Sequence, residues 1–253
     1  MTSLKYEIQT WAAAVDAYQT EDWDTSLAYF TKIANTSKIL TNIGIIHGSL
    51  GEHDVALEAF QTATSLDSYH GIAYHQAGVS NFMMGQYEAA LKNFEDALRT
   101  LRGHETINYE QIGLNYRLHA AAIVYNQGVT MIRLGNVDRG VQLLNDSLKL
   151  NSFDDCDLLA RAVKARGEGF ALFCLPTGTL YRPNQKMVAN IRARDWMGKA
   201  RLITPSQSKD EVDSFIVPRR AASSRPELAH PQSLLWNSRS SAARSRTLCS
   251  VGS

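Results

Sequence analysis

The chain has 253 residues, room for one large domain or a domain with appendages, and 44% of them are apolar, as in a chain that buries a core. The net charge of +1 is uneven: residues 218–253 carry six Arg and one Glu, leaving a body of 20 basic and 24 acidic residues, which argues against a nucleic-acid binder. No run of about 18 apolar residues offers a membrane span, no basic-then-apolar leader opens the chain, and three cysteines without CxxC spacing (Cys156, Cys174, Cys249) fit a reducing, cytosolic compartment.

Four sets of small and large residues recur along the chain: Ala14-Ser26-Phe30-Ile33, Gly44-Ala56-Phe60-Ala63, Gly78-Ala90-Phe94-Ala97 and Gly128-Gly140-Leu144-Ser147. Gly44 and Gly78 are 34 residues apart, the period of tetratricopeptide helical hairpins, whereas Gly78 and Gly128 are 50 apart, one period plus 16. The pattern predicts an all-α, right-handed superhelical solenoid of four repeats at about 7–36, 37–70, 71–104 and 121–154. Trp11, Trp23 and Phe30 anchor the first repeat, whose terminal position explains its irregularity.

In the second repeat Ile39, Ile43, Ile46 and Leu50 keep helical spacing, Gly51 permits the turn, and a second helix is expected over 53–65. The third repeat follows the same logic through Gly85, Tyr87, Ala90, Phe94 and Ala97. In the fourth, Gly140 stands inside the second helix, a cost of about 1 kcal/mol against alanine. The insertion, 105–120, alternates apolar and polar residues at Ile107-Tyr109 and Leu114-Tyr116-Leu118, with Gly113 at a bend, and reads as a small hairpin. Residues 157–173 read as an amphipathic helix capping the solenoid. Residues 174–217 read as an extended segment, with a short helix over 184–194 capped by Asn184. From Pro218 to the end the composition, rich in Ser, Arg, Ala and Pro, predicts a disordered tail.

No chemistry-bearing constellation emerges. The seven histidines lack metal-ligand spacing, Cys156 and Cys174 read as small buried apolar groups, and there is neither a GxGxxG nor a Walker loop. No cofactor or metal is expected, and a repeat scaffold is a surface for holding other proteins rather than an enzyme.

Four pieces carry a closer likeness: Asp22-Trp23, the insertion from Leu101-Arg102-Gly103 to Tyr109, the segment from Leu180 to Asn184 (LYRPN), and that from Asp195 to Ala200 (DWMGKA). Together they resemble the cytosolic activator subunits of the superoxide-generating NADPH oxidase, the phagocyte oxidase activator and its fungal counterpart, over about residues 5–217. The resemblance implies a non-catalytic adaptor, cytoplasmic and recruited to the membrane on activation, that binds a GTP-loaded Rac-type small GTPase through inter-repeat loops and the insertion. The implied contact residues are Ser37, Asp67, Tyr69, Arg102, His104, Thr106 and Asn108. Four depart from the phagocyte protein, which has His, Asn, Leu and Asp where this chain has Tyr69, His104, Thr106 and Asn108. Arg102 is the expected anchor, because its planar fork gives several directed hydrogen bonds.

The resemblance also implies that residues around 175–184 fold back into the solenoid's own groove. It further implies that an activation segment at 197–208 touches the membrane NADPH oxidase flavocytochrome. The implied contacts there are Met197, Gly198, Lys199, Ala200, Arg201, Leu202 and Ile203. Leu202 replaces a Val of the phagocyte protein, and Pro205 is a larger departure. The alternative is a tetratricopeptide co-chaperone, or generic peptide-binding scaffold, gripping a carboxylate in the groove. Asn42 suits that role, but Trp11, Val15, His75 and Val79 stand where Lys, Asn or Arg would be needed.

Overall fold

The computed structural model describes residues 3–150, 156–167, 169–196 and 248–249. The chain divides into two units, residues 1–196 with 245–253, and residues 197–244, the latter outside the described residues. Four helical hairpins follow one another: α1 (Leu4–Gln19) with α2 (Trp23–Lys32), α3 (Ser37–Ser49) with α4 (His53–Leu66), α5 (Gly71–Met83) with α6 (Tyr87–Thr100), and α7 (Ala120–Arg133) with α8 (Val137–Lys149). Each hairpin packs on the next, α2 on α3, α4 on α5 and α6 on α7, as in a tetratricopeptide solenoid. Side-chain oxygens of Ser3, Asp22, Thr36 and Asn136 accept from backbone N–H groups of the first turns of α1, α2, α3 and α8, satisfying donors that a helix start leaves free.

The repeated small residues bring paired backbones together. Phe30, Phe60, Phe94 and Leu144 are all wholly buried. A methyl group on Gly44 or Gly78 would sit 2.5 Å from the ring of Phe60 or Phe94. Where two repeats carry serine in place of alanine, the buried hydroxyl is satisfied across the hairpin: Ser26 Oγ donates to Ala14 O (2.8 Å) and Ser147 Oγ to Ala121 O (2.9 Å).

Gly140 has a physical reason. A Cβ there would lie 2.5 Å from Ile132 Cγ1 and 2.7 Å from Gly128 O, a carbonyl that cannot rotate away. Gly140→Ala gains about 1 kcal/mol of helix propensity but overpacks the α7–α8 contact by about 1–3 kcal/mol. The expected net result is a lower thermal midpoint; a raised one would show that the helices can separate at no cost.

The insertion forms an antiparallel pair, β1 (Thr106–Asn108) with β2 (Arg117–His119), in the register Thr106–His119, Ile107–Leu118, Asn108–Arg117. The ladder is shorter than the alternation suggests, because Glu110–Ile112 wind into a 3-10 turn and Gly113 (φ +98°) turns the chain back. Leu114 and Leu118 are wholly buried, so the hairpin belongs to the core.

Three expectations require correction. The capping helix does not run to Phe173: α9 (Cys156–Lys164) stops where Arg166 (φ +52°) and Gly167 (φ +76°) reverse the chain, with Arg166 N donating to Val163 O and Gly167 N to Ala162 O. The residues beyond are drawn into the groove, where Leu172, Phe173 and Leu175 are buried, and that burial competes with a longer helix. Cys174 is not a reduced apolar group but is disulfide-bonded, since spacing along the chain does not report which cysteines meet in the fold. Lastly, the tail is not wholly irregular. β4 (Leu248–Cys249) pairs antiparallel with β3 (Leu172–Phe173), whose extended backbone offers hydrogen-bonding groups to a second strand. The rest of 218–253 lies outside the described residues.

Candidate functional site

The repeats carry two surfaces: an inner groove and a rim of inter-repeat loops. Residues 171–183, a strap, run through the groove lined by α1, α3 and α7 and turn once between Pro176 and Thr179, where Gly178 has φ +86°. Asn42 on α3 grips the backbone of Tyr181 at both groups: Nδ2 donates to Tyr181 O (2.9 Å) and Oδ1 accepts from Tyr181 N (2.8 Å). Asn126 on α7 repeats the grip on Phe173, with Nδ2 to O and N to Oδ1 both at 2.8 Å. Both asparagines stand two residues before the signature glycine of their repeats, Gly44 and Gly128, so one repeat position supplies the same device twice.

Aromatic groups complete the hold. Trp11 Nε1 donates to Tyr181 O (2.9 Å), Gly178 N donates to Tyr18 Oη (3.1 Å), and Tyr125 Oη donates to Ala171 O (3.2 Å). The Phe173 ring meets Tyr125 edge-on, centroids 4.7 Å apart. Tyr181 is wholly buried. Beyond it, Arg182 N donates to Gly113 O (2.8 Å), and Arg182 O lies so close to Gly113 that any side chain there would collide with it. The strap then leads into α10 (Gln185–Trp196), where Asn184 Oδ1 accepts from Lys186 N (2.9 Å), and α10 packs on α1.

Two positions where a carboxylate-binding groove would need cations serve the strap instead. Trp11 donates to it, and His75 Nε2 accepts from Asn126 Nδ2 (3.1 Å), steadying that clamp. His75 is wholly buried, and desolvation pushes it down to about 4.

On the rim, Ser37 opens α3, Asp67 and Tyr69 lie between α4 and α5, Arg102 and His104 follow α6, and Thr106 and Asn108 are in β1. The structure brings five of the seven together in two linked groups and a turn. Asp67 Oδ1 accepts from Tyr69 N (3.0 Å), and Ser37 Oγ and Asp67 Oδ2 lie 3.2 and 3.7 Å from the same atom, His70 Nδ1. The Arg102 guanidinium stacks on the Tyr69 ring, 4.5 Å from its centroid, and His104 N donates to Leu101 O in the turn beside it. Arg102 takes a left-handed backbone (φ +50°), uncommon for a residue with a side chain, and Tyr69 is 64% exposed. Thr106 and Asn108 bond elsewhere: Thr106 Oγ1 pairs with His119 Nδ1 (3.2 Å), and Asn108 Oδ1 accepts from Glu110 N (2.9 Å). Residues 197–203 of the expected activation segment lie outside the described residues.

Sequence reasoning missed His70 and Asn126. The Asn126 signal was present in its spacing to Gly128, equal to that of Asn42 to Gly44. His70, only 4% exposed, touches the rim with one nitrogen and the strap with the other. Desolvation lowers it to about 4, opposed by Asp67 and reinforced by Lys38. It is therefore neutral at pH 7, and its approach to Asp67 is a polar contact rather than an ion pair. Lys38, also lowered by burial, donates from Nζ to Ile112 O (3.1 Å) and ties α3 to the insertion.

The two buried histidines set an acid limit. Both bind a proton less readily folded than in the unfolded chain, where a histidine titrates near 6.5, so the unfolded state takes up more protons as pH falls. Stability from this source is intact above about pH 6.5 and declines as pH drops toward 4, by about 3 kcal/mol per histidine at most. Denaturant unfolding at a series of pH values should show that slope, and His75→Gln should make it shallower; an unchanged slope would contradict the assignment.

Among the described residues no group of three His, Cys, Asp or Glu is placed to hold a metal, and no helix is long and apolar enough to cross a membrane.

The tetratricopeptide repeat family model matches residues 37–70. The chain is 29% identical over 225 residues to NADPH oxidase activator 1 of Rattus norvegicus, covering 88% of this chain and 50% of that protein. It is 28% identical over 232 residues to neutrophil cytosol factor 2 of Bos taurus, covering 90% of this chain and 43% of the relative. Over about nine tenths of its length, then, the chain is similar to proteins named as NADPH oxidase activator and neutrophil cytosol factor. A shorter match, 29% over 134 residues, joins it to the NADPH oxidase activator of Dictyostelium discoideum and covers 53% of this chain and 22% of that one. The chain spans about half the length of the first two relatives, of which the first is named as an activator. Among solved structures, a tetratricopeptide repeat protein from Parabacteroides merdae superposes with a TM-score of 0.52 at 18% identity, covering 65% of this chain and 60% of that one; this likeness concerns the fold alone.

Proposed function

We propose that this chain is a non-catalytic regulatory scaffold. It binds a GTP-loaded Rac-type small GTPase at its rim and activates a membrane NADPH oxidase to produce superoxide. The observation that carries the reading is the division of labour between the two surfaces. The groove, where a tetratricopeptide protein would grip a foreign peptide, is filled by the chain's own strap through both asparagine clamps. The rim presents an exposed Arg102–Tyr69 stack beside Asp67 and Ser37, a planar cation and an aromatic of the kinds enriched at binding hot spots. The names of the relatives supply the oxidase.

In this reading Ser37, Asp67, Tyr69 and Arg102 form the centre of the GTPase contact, with His104, Thr106 and Asn108 at its margin. Residues Met197, Gly198, Lys199, Ala200, Arg201, Leu202 and Ile203 stimulate electron flow in the flavocytochrome. The protein works from the cytoplasm and is recruited to the membrane by its partners. The co-chaperone alternative loses its site, because Asn42 and Trp11 are committed to Tyr181.

The test is reconstituted superoxide production with oxidase membranes and a GTP-loaded Rac-type GTPase. The intact chain should raise the rate. Leu202→Ala should lower it several-fold while leaving GTPase affinity unchanged, because it removes apolar contact outside the rim. A chain that binds the GTPase yet leaves the rate at baseline would overturn the activator reading.

A further inference from the structure

We infer that His70 is a positioning residue that couples the rim to the strap: the rim groups Ser37 and Asp67 set the tautomer of its imidazole, and that tautomer holds Tyr181. The inference deepens the rim reading above, and its first test does not need a GTPase.

His70 occupies the residue position before α5, its side chain making no capping bond to the helix, and is buried where three parts of the chain meet. Its Nδ1 faces the rim, 3.2 Å from Ser37 Oγ and 3.7 Å from Asp67 Oδ2. Its Nε2 faces the groove, 3.0 Å from Tyr181 Oη and 3.3 Å from Thr41 Oγ1. The ring meets Tyr181 edge-on, centroids 5.4 Å apart, and lies 6.5 Å from the ring of Tyr109 in the insertion.

The network decides which nitrogen carries the proton. A neutral imidazole has one donor and one acceptor nitrogen. Thr41 Oγ1 donates to Ser37 O (2.7 Å), so toward Nε2 it can only accept; that contact, at 3.3 Å, is longer than the one with Tyr181 Oη, which leaves Tyr181 as the donor available to Nε2. Burial raises the Tyr181 phenol well above its usual range, and nearby Tyr109 and Asp67 push it the same way, so Tyr181 keeps its proton and can donate it. With the proton on Nδ1, the imidazole donates to Ser37 Oγ, presents N–H to the Asp67 carboxylate, and accepts from Tyr181 at Nε2. With the proton on Nε2, a bare lone pair would face the carboxylate. The negative charge of Asp67 thus favours the first arrangement. The sequence of bonds runs from the rim acceptors, through Nδ1–H and Nε2, to the hydroxyl of Tyr181.

The physical consequence is a coupling of two sites that share one residue. A docked cation that takes up the Asp67 carboxylate weakens the preference for Nδ1–H and with it the grip on Tyr181. By linkage, any change that weakens the Tyr181 bond alters the free energy of occupying the rim. The loosening is local to this end of the strap, because Phe173 is held separately by Asn126 on α7.

The test uses the full chain. Imidazole nitrogen NMR should place the His70 proton on Nδ1, and Asp67→Asn, which keeps the oxygen that caps Tyr69 N, should shift the ring toward a mixture of tautomers. Amide exchange at Tyr181 and Arg182 should speed about five- to tenfold in Asp67→Asn, with that of Phe173 unchanged. Ser37→Ala should act in the same direction and guards against a folding defect peculiar to the first variant. A proton found on Nε2 in the unchanged chain, or exchange at Tyr181 insensitive to both substitutions, would overturn the inference. In a second arm, Tyr181→Phe is titrated with a GTP-loaded Rac-type GTPase, and an affinity raised several-fold is expected; an unaltered affinity would count against coupling. Failure of the unchanged chain to bind the GTPase would overturn the rim reading alone, with the tautomer and exchange results still deciding the role of His70.

Discussion

Replacing Asn42 and Asn126 together with alanine is expected to free the strap from the groove while leaving the four helical hairpins folded. Each asparagine satisfies a buried backbone N–H and C=O of the strap at once. Truncating Asn42 removes the partner of the Tyr181 N–H, and truncating Asn126 removes two bonds to Phe173, at roughly 1–3 kcal/mol for each buried group left unpaired. Trp11 still reaches Tyr181 O after the loss of Asn42, but among the described residues no such substitute is aimed at the Tyr181 N–H. The two sites are eight residues apart on the strap and sit on different helices, so the opening energies of the double variant should be close to additive. The strap's opening equilibrium should rise on the order of 100-fold or more. Amide exchange at Phe173 and Tyr181, or chymotryptic cleavage after those residues, reads the effect directly. The helices do not depend on these clamps, because their cores are the Phe30, Phe60, Phe94 and Leu144 contacts between paired helices. Strap amides that stay as protected as before would show that aromatic burial alone retains it.

The second large effect is expected at Arg102. On the proposed GTPase surface, Arg102→Glu should reduce affinity for the GTP-loaded Rac-type partner by about 100-fold or more, since it removes a stacked, multidentate cation and installs a like charge beside Asp67. Arg102→Lys should fall between, because an ammonium keeps the charge but loses the flat face that lies on Tyr69. Titration calorimetry against both nucleotide states is the measurement. Equal affinity for the GDP form, or indifference to Arg102→Glu, would remove the rim from consideration. The left-handed backbone at Arg102 sharpens the prediction: α6 ends there by turning the chain, and that turn directs the guanidinium onto Tyr69 of the preceding inter-repeat loop.

These two experiments address different surfaces, and their cross-effects carry information. If the strap only fills space, its release leaves the Arg102-dependent affinity as it was. If His70 joins strap and rim, the asparagine variants alter that affinity too.

Much of the architecture was legible in the linear pattern. Apolar spacing, the glycine and alanine positions that admit a second backbone, and the period between Gly44 and Gly78 each depend on residues within one hairpin, and short-range physics acts on them wherever the chain lies. The hairpin of the insertion was readable from its alternation, and the start of α10 from Asn184. What the pattern did not contain were events between distant segments. The end of α9 at Lys164 was signalled locally by Gly167 and Gly169, which take positive φ; what the pattern did not show is that Leu172 and Phe173 are then buried against α7. The same is true of Cys174 and of the pairing of Leu248–Cys249 with Leu172–Phe173. The duplicated asparagine was visible in its spacing, but its purpose was not, since the strap it grips lies 47 to 139 residues away. His70 read as one ordinary polar residue among seven histidines. By itself the sequence determined the helical hairpins, their order and the exposed loops between them, because propensity and amphipathic periodicity are local. The resemblance already pointed to residues around 175–184 as the groove's occupant, but only the tertiary structure decided that two asparagines grip it and that a buried imidazole stands between it and the rim, because both depend on how distant parts of the chain meet once water is excluded.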